Sequence, residues 1–239
     1  MPSLYKVAAF YKFVPLPNYK ELRDPLQELG ARHDIIGTVL LASEGINATI
    51  AGSEEGVSSF LEGLHEAGPF EGLNLKFSSA STKPFLRWKV RLKKEIVTFK
   101  NATDPTETVG EYVKPKQWNQ VISDPAVTVI DVRNSYEIEY GSFQGAINPN
   151  TNDFWEFPQF VANQLPDKNQ PIAMFCTGGI RCEKATSYLL SLGYTNVKHL
   201  EGGILRYLAE VPESESLWKG SCFVFDDREA LDHSLQSIK

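Results

Sequence analysis

The residues with the most chemistry in reach are two thiols. Residues 174–185 read MFCTGGIRCEKA, so Cys176 and Cys182 flank a Gly-Gly-Ile-Arg stretch that follows an apolar run and precedes a helical one. Thiols so placed can bind a metal, close a disulfide or supply a nucleophile. Cys176 follows Met174-Phe175, where an expected strand ends, and Thr177-Gly178-Gly179-Ile180 leads into a helix expected to begin near Arg181. Gly178 and Gly179 let the backbone turn tightly and aim N–H groups inward. A concavity of that kind at a helix N-terminus stabilises an anion. The anion to hand is the Cys176 thiolate, or a persulfide carried on it, and such a thiolate has a depressed pKa and reacts near neutrality. Arg181 adds positive charge beside it. The ordinary alternative is a buried structural cysteine, for which a Gly-Gly turn at a strand-to-helix junction is a poor place.

Cys182 opens the helix and shares a face with Ala185, Thr186 and Leu189, so it reads first as a small core residue. Its functional reading is a resolving thiol for an oxidised or persulfidated Cys176. Cys222, in Cys222-Phe223-Val224-Phe225, reads as packing. A zinc site needs four ligands at suitable spacing, and Cys-x5-Cys with scattered His33, His65, His199 and His233 does not supply one; no metal and no cofactor is evident. The Walker A, dinucleotide and Gly-x-Ser-x-Gly patterns are also missing. Cys176 to Arg181 is Cys-x4-Arg, one residue shorter than the phosphate-wrapping loop of cysteine phosphatases, and suits a single sulfur or oxygen atom.

Elements must bring this loop to a usable place. In the second half, Pro115–Val121, Phe157–Gln164 and Arg181–Leu192 read as helices, and Val127–Val132, Ile172–Phe175 and Asn196–Leu200 as buried strands. Strands separated by helices imply a doubly wound parallel sheet. Ligands of such sheets sit outside the carboxyl ends of the strands. Three loops fall there: Asp131-Val132-Arg133, Cys176–Arg181 and Glu201-Gly202-Gly203. Asp131, Arg133 and Glu201 are therefore supporting candidates, although Asp131 and Arg133 could equally form a plain structural pair.

The first half alternates differently. Lys6–Val14 reads as a strand. A helix capped by Asn18, with Glu21 three residues on, runs to Gly30, and Pro25 kinks it or opens a second short helix capped by Asp24. Ile35–Ala42 and Ile46–Ala51 are strands joined by the turn Ser43-Glu44-Gly45. Ser53 caps the helix Glu54–Glu66, and Leu73–Phe77 is a further strand. The order β-α-β-β-α-β is the ferredoxin-like split βαβ pattern, an α+β domain. Domains are expected at 1–99 (ferredoxin-like), 114–218 (α/β) and 219–239 (C-terminal extension), with 100–113 as linker on its Pro, Gly and small polar residues.

Residues 83–94, KPFLRWKVRLKK, hold six Lys or Arg and no acid in a chain of net charge −6. As a strand, this segment puts Arg87, Lys89, Arg91 and Lys93 on one face and Trp88, Val90 and Leu92 on the other. It is either a lysine-protected edge strand or a stripe suited to a phosphate backbone. Bulk composition is that of an ordinary folded chain: 239 residues, 42% hydrophobic, 23% charged, which excludes fibrous and disordered classes. No apolar run approaches a membrane span, Met1-Pro2-Ser3 starts no basic-then-apolar leader, and three cysteines are too few for a disulfide scaffold. The expected location is the cytoplasm. Composition sets neither the oligomeric state nor an electron donor.

Residues 114–218 resemble the rhodanese domain through Asp131-Val132-Arg133, Gly145-Ala146-Ile147-Asn148, Cys176-Thr177-Gly178-Gly179-Ile180-Arg181-Cys182 and Leu200-Glu201-Gly202-Gly203-Ile204. In that family a cysteine at the position of Cys176 carries a persulfide. The whole chain resembles, more narrowly, the bacterial tRNA uridine hydroxylases. That resemblance rests on Ser43-Glu44-Gly45-Ile46-Asn47, the run Lys89–Val97, Gly145–Thr151 and Cys222-Phe223-Val224-Phe225-Asp226. It implies oxygen-dependent conversion of the tRNA wobble uridine to 5-hydroxyuridine, with molecular oxygen as co-substrate and tRNA as partner. Where general rhodaneses have a Gly-His-Ile-like segment, this chain has Gly141-Ser142-Phe143. Longer relatives carry a cysteine-rich tail after the Phe-Asp segment, and a metal of that tail is not expected here. The competing function is a rhodanese-type sulfurtransferase.

Overall fold

The computed structural model describes residues 4–239, so Met1–Ser3, on which the expectation about a leader rests, lie outside the described residues. The chain divides into two compact units, one of residues 4–97 with 225–229 and 239, the other of 98–224 with 230–238.

The first unit follows its hydrophobic periodicity. Strands β1 (Tyr5–Phe13), β2 (Ile36–Ala42), β3 (Gly45–Gly52) and β4 (Lys76–Ala80) and helices α1 (Arg23–Arg32) and α2 (Glu54–Ala67) take the expected split βαβ order. A further strand, β5 (Trp88–Leu92), completes a sheet of order β4-β1-β3-β2-β5, antiparallel except where β5 runs parallel to β2. Phe10, Val39, Leu41, Ile46, Ile50, Val57, Phe60 and Leu64 form the core between sheet and helices. Ser53 caps α2, accepting from the Gly56 N–H at 2.9 Å.

Three local readings differ. Residues 18–22 form turns, with the Glu21 N–H on the Asn18 carbonyl at 2.9 Å, and α1 starts only at Arg23. Pro25 is then the third helical residue, where an N–H has no intrahelical acceptor, so it neither kinks α1 nor opens a second helix capped by Asp24. The strand read at Leu73–Phe77 lies at Lys76–Ala80, because Leu73 and Leu75 pack against the core while Tyr5↔Ala80 fixes the pairing register. Glu111–Val113, read as linker, is a strand of the second sheet.

In the second unit that strand is β6. Then follow α3 (Pro115–Ile122), β7 (Thr128–Asp131), α4 (Ser135–Ile138), β8 (Gly141–Phe143), α5 (Phe157–Gln164), β9 (Ile172–Phe175), α6 (Ile180–Ser191), β10 (Val197–Leu200) and α7 (Gly203–Glu210). The sheet β6-β10-β9-β7 is parallel throughout. All four residues of β9 are buried. Because successive side chains point to opposite faces, both faces of the sheet are covered. Ala173 and Phe175 face the core shared with Trp118, Leu200, Ile204 and Tyr207. Strand β11 (Trp218–Gly220) pairs with β8, and β12 (Cys222–Phe223) pairs with β13 (Ala230–Leu231). Residues beyond 218 are thus part of the packed structure: Phe143, Trp218 and Cys222 share one core.

Candidate active site

Strand β9 ends at Phe175, so Cys176 emerges at the carboxyl edge of the parallel sheet. Gly179 precedes α6 with φ +101°, a left-handed value suited to glycine. That turn points the Gly179 N–H back at the sulfur: it donates to Cys176 Sγ at 3.2 Å. The Cys182 thiol and the Cys182 N–H also donate to this sulfur. Cys176 has no exposed surface. Burial alone would push its thiol up. The Cys182 thiol, the Arg181 charge and the two N–H donors outweigh that and bring it down from 9.0 to about 5. Cys182, also fully buried, moves the other way: burial and the neighbouring sulfur anion push its thiol well up. Ala185, Thr186 and Leu189 on its helical face are buried too, so it is at once a core residue and the neighbour of Cys176.

Arg181 is fixed by a residue that the sequence reading passed over. Glu137, with no exposed surface, accepts from Arg181 Nη1 at 2.6 Å and Nη2 at 2.7 Å. Thr177 Oγ1 lies 3.2 Å from Arg181 Nη2 and 3.4 Å from Glu137 Oε2, closing a triangle of Thr177, Arg181 and Glu137. Burial would push the Glu137 carboxyl up, but Arg181, then Arg133 and the Asn134 N–H, hold it below its ordinary range. The available signal was Asn134-x-x-Glu137, a helix-start pattern in which the third helical residue reaches back to the cap N–H, here at 3.2 Å.

Asp131 and Arg133 form a buried bidentate pair, with Nε to Oδ1 at 2.8 Å and Nη2 to Oδ2 at 2.6 Å. Arg133 also donates to the carbonyls of Glu137 (3.3 Å) and Gly141 (2.6 Å) and sits over the Trp218 ring. Ser142 Oγ donates to Asp131 Oδ2 at 2.7 Å. Arg133 therefore fixes the backbone of the residue whose side chain fixes Arg181. Glu201 does not reach the sulfur; its carboxylate accepts from Arg206, which also donates to Glu210 at 2.6 Å.

The Gly202-Gly203 turn closes the loop from the other side. The Ile204 N–H donates to the Cys176 carbonyl at 3.0 Å and the Leu205 N–H to the Thr177 carbonyl at 3.1 Å. Gly203 has φ +67°, and a Cβ there would lie 2.5 Å from the Cys176 carbonyl oxygen and 2.7 Å from the Gly179 nitrogen. Only glycine permits this approach. A Cβ at Gly178, by contrast, would meet nothing within 4 Å. The loop's outer side at Gly178 and Ile180 is half-buried. Cys222 is buried, and burial pushes its thiol up to about 12. Among the described residues, no three His, Cys, Asp or Glu side chains gather as a metal site.

In the first unit, β5 is an edge strand. Val90 is buried with Trp88 packed alongside, while Arg87, Arg91 and Lys93 are exposed and Lys89 half-buried. Leu92 is 39% exposed, so the apolar side of the ribbon is only partly covered. Gln27 of α1 seals the edge: its side-chain oxygen accepts the Val90 N–H at 3.1 Å and its carbonyl the Trp88 Nε1–H at 3.0 Å. The Ser43-Glu44 turn and the start of β3 hold the segment after the ribbon. Glu44 Oε1 accepts the Ile96 N–H at 2.6 Å, and Asn47 Nδ2 donates to the Ile96 carbonyl at 2.9 Å.

Comparison with known proteins covers both units. Residues 5–96 match the family described as UPF0176 acylphosphatase like domain, and residues 114–210 match the rhodanese-like domain family. The chain is 54% identical over 242 residues to the tRNA uridine(34) hydroxylase of Nitrobacter winogradskyi, covering 99% of this chain and 95% of that one. It is 55% identical to the protein of the same name from Nitrobacter hamburgensis, covering 97% and 93%. A third protein of that name, from Teredinibacter turnerae, is 54% identical, with coverage of 98% and 74%.

Proposed function

The chain belongs to the tRNA uridine(34) hydroxylase family, and from that premise we propose that it converts the wobble uridine of tRNA to 5-hydroxyuridine with Cys176 as its reactive group. The observation that carries the role of Cys176 is a sulfur held at 3.2 Å from the Gly179 N–H and brought down to about 5 by its donors and Arg181. It is a thiolate at neutral pH, the form that attacks. Addition of a thiolate to the uridine ring makes the ring carbon that takes up oxygen electron-rich; direct oxygen transfer through an oxidised sulfur is the other route open to the same atom. Molecular oxygen is the co-substrate. Glu137 and Arg133 act through Arg181, holding its charge beside the sulfur. Because Cys176 is fully buried, a uridine ring reaches the sulfur only when the loop 177–180 moves.

Arg87, Lys89, Arg91 and Lys93 make no ion pair among the described residues and mostly face solvent, as cations reserved for phosphates do. They are the proposed tRNA contact. No helix among the described residues is long and apolar enough to cross a membrane. A tRNA substrate supports the reading of an enzyme that works in the cytoplasm. Relatives named hydroxylases favour this oxidation over the sulfurtransferase alternative. The test is nucleoside mass spectrometry of tRNA from cells lacking the protein. We expect 5-hydroxyuridine to be lost, restored by the wild-type chain and not by Cys176→Ser. Unchanged 5-hydroxyuridine in the deletion strain refutes the activity, and rescue by Cys176→Ser refutes the role of the sulfur.

A further inference from the structure

Inserting one atom of molecular oxygen into a C–H bond leaves the second atom to be reduced to water, which takes two electrons from a donor. We propose that Cys176 and Cys182 are that donor, closing to a disulfide once per hydroxylation. The proposal rests on the hydroxylase reading above and names what the reading leaves open.

Three observations carry it. First, Cys182 is the third residue of α6, and its thiol points at the same sulfur that the Gly179 N–H caps at 3.2 Å. The two thiols sit six residues apart at one strand-to-helix junction, so no distant thiol must be recruited. Secondly, the pair divides one proton between them. The Cys176 sulfur is the anion and Cys182 keeps its hydrogen as donor, the arrangement in which one member attacks and the other resolves. Thirdly, both side chains are fully buried, so a sulfenic acid formed on either meets the other thiol before it meets solvent. Cys222, the remaining thiol, lies in the core of Phe143 and Trp218 and takes no part in this contact.

The balance closes. One uridine C–H, one O2 and two thiols give one C–OH, one water and one disulfide. The uridine C–H bond, the O–O bond and the Cys182 S–H bond break; one C–O bond, one S–S bond and three O–H bonds form, the proton that Cys176 has already given up returning from solvent. One oxygen stays on the base, the other leaves in water, and both sulfurs together are oxidised by two electrons. A further round needs an external dithiol to reduce the disulfide by exchange.

The experiment uses the full chain, reduced with dithiothreitol, freed of reductant, and given unmodified tRNA in air. We expect no more than one 5-hydroxyuridine per chain, the loss of two titratable thiols per product, and a Cys176–Cys182 cross-link by peptide mass mapping. Fresh dithiothreitol restores turnover. Cys182→Ser and Cys182→Ala lose the reductant-free product, while Cys222→Ser keeps it with unchanged stoichiometry. Several turnovers without reductant, product with both thiols still titrating, or full product from Cys182→Ser overturns the donor role and leaves the hydroxylase reading standing. No 5-hydroxyuridine from the wild-type chain even with dithiothreitol sinks that reading, and the donor role with it.

Discussion

Replacing Cys176 by serine, and measuring both thiol reactivity and stability against pH, tests the central electrostatic claim. Moving a thiol from 9.0 to about 5 represents roughly 5 kcal/mol of preference for the thiolate in the folded chain. In the unfolded chain the same thiol keeps its proton up to about 8.5. Between those values the unfolded state binds the extra proton, so stability rises with pH. The contribution is complete above the unfolded value and is lost as pH falls through about 5. The wild-type advantage over Cys176→Ser in urea unfolding should therefore grow by about 1.4 kcal/mol per pH unit across that window. His199, which burial brings down to about 4, and Cys222, which burial pushes up to about 12, are common to both chains and cancel. Iodoacetamide gives the direct reading. A fully buried sulfur reacts only after the loop opens, which lowers the plateau rate. The midpoint still reports the closed form, because the open thiolate is in constant ratio to the closed thiolate above that value and dwindles below it. Alkylation of the folded chain should be flat above about pH 6 and fall with a midpoint near 5. A midpoint at 8–9, or unfolding curves whose separation does not change with pH, refutes the argument.

Arg181→Met should strand the buried Glu137 carboxylate and cost about 3–5 kcal/mol in urea unfolding, while Arg181→Met with Glu137→Gln recovers part of that loss; equal stabilities would show the pair to be idle. Gly203→Ala places a methyl 2.5 Å from the Cys176 carbonyl oxygen at φ +67°. It should cost about 1–3 kcal/mol and raise the alkylation midpoint by displacing the Gly179 N–H. Gly178→Ala meets nothing within 4 Å, so the melting temperature should hold or rise slightly, with the alkylation midpoint unmoved. Reversing Arg87, Lys89, Arg91 and Lys93 to Glu should weaken tRNA binding and flatten its dependence on salt, by about 0.7–0.9 in logarithmic slope for each phosphate that the ribbon ceases to neutralise. Unchanged affinity and slope in filter binding would leave the ribbon as an edge strand only.

The site was legible where a single loop carries its own geometry. Cys176-Thr177-Gly178-Gly179-Ile180-Arg181 sits at a strand-to-helix junction, and the backbone donor aimed at the sulfur follows from that junction. Glu137 was not legible as a partner of Arg181. The two are 44 residues apart, and only the parallel order β10-β9-β7 brings the loop after β7 beside the loop after β9. Ferredoxin-like order emerged from periodicity, and alternation of basic and apolar residues marked the ribbon as a strand, but its pairing parallel to β2 is a tertiary choice that alternation does not encode. The three residues Glu111–Val113 were lost in a linker for the opposite reason: a strand that short has no period to read, and its pairing with β10 alone defines it.

Burial and ionisation ordinarily oppose each other, since taking a thiolate out of water favours the thiol. At Cys176 they coexist because the environment substitutes for water donor by donor: two backbone N–H groups, one thiol and one guanidinium. Each donor is itself secured from a different stretch of chain, Gly179 by the Gly203 turn, Arg181 by Glu137, and Glu137 by Arg133. A thiolate kept this way loses part of its stabilisation the moment the loop opens, so opening and gain of nucleophilic strength are one event. Substrate binding that moves the loop 177–180 would then activate the sulfur only when a uridine is there to receive it, and the closed loop would shield a reactive anion from oxygen between turnovers.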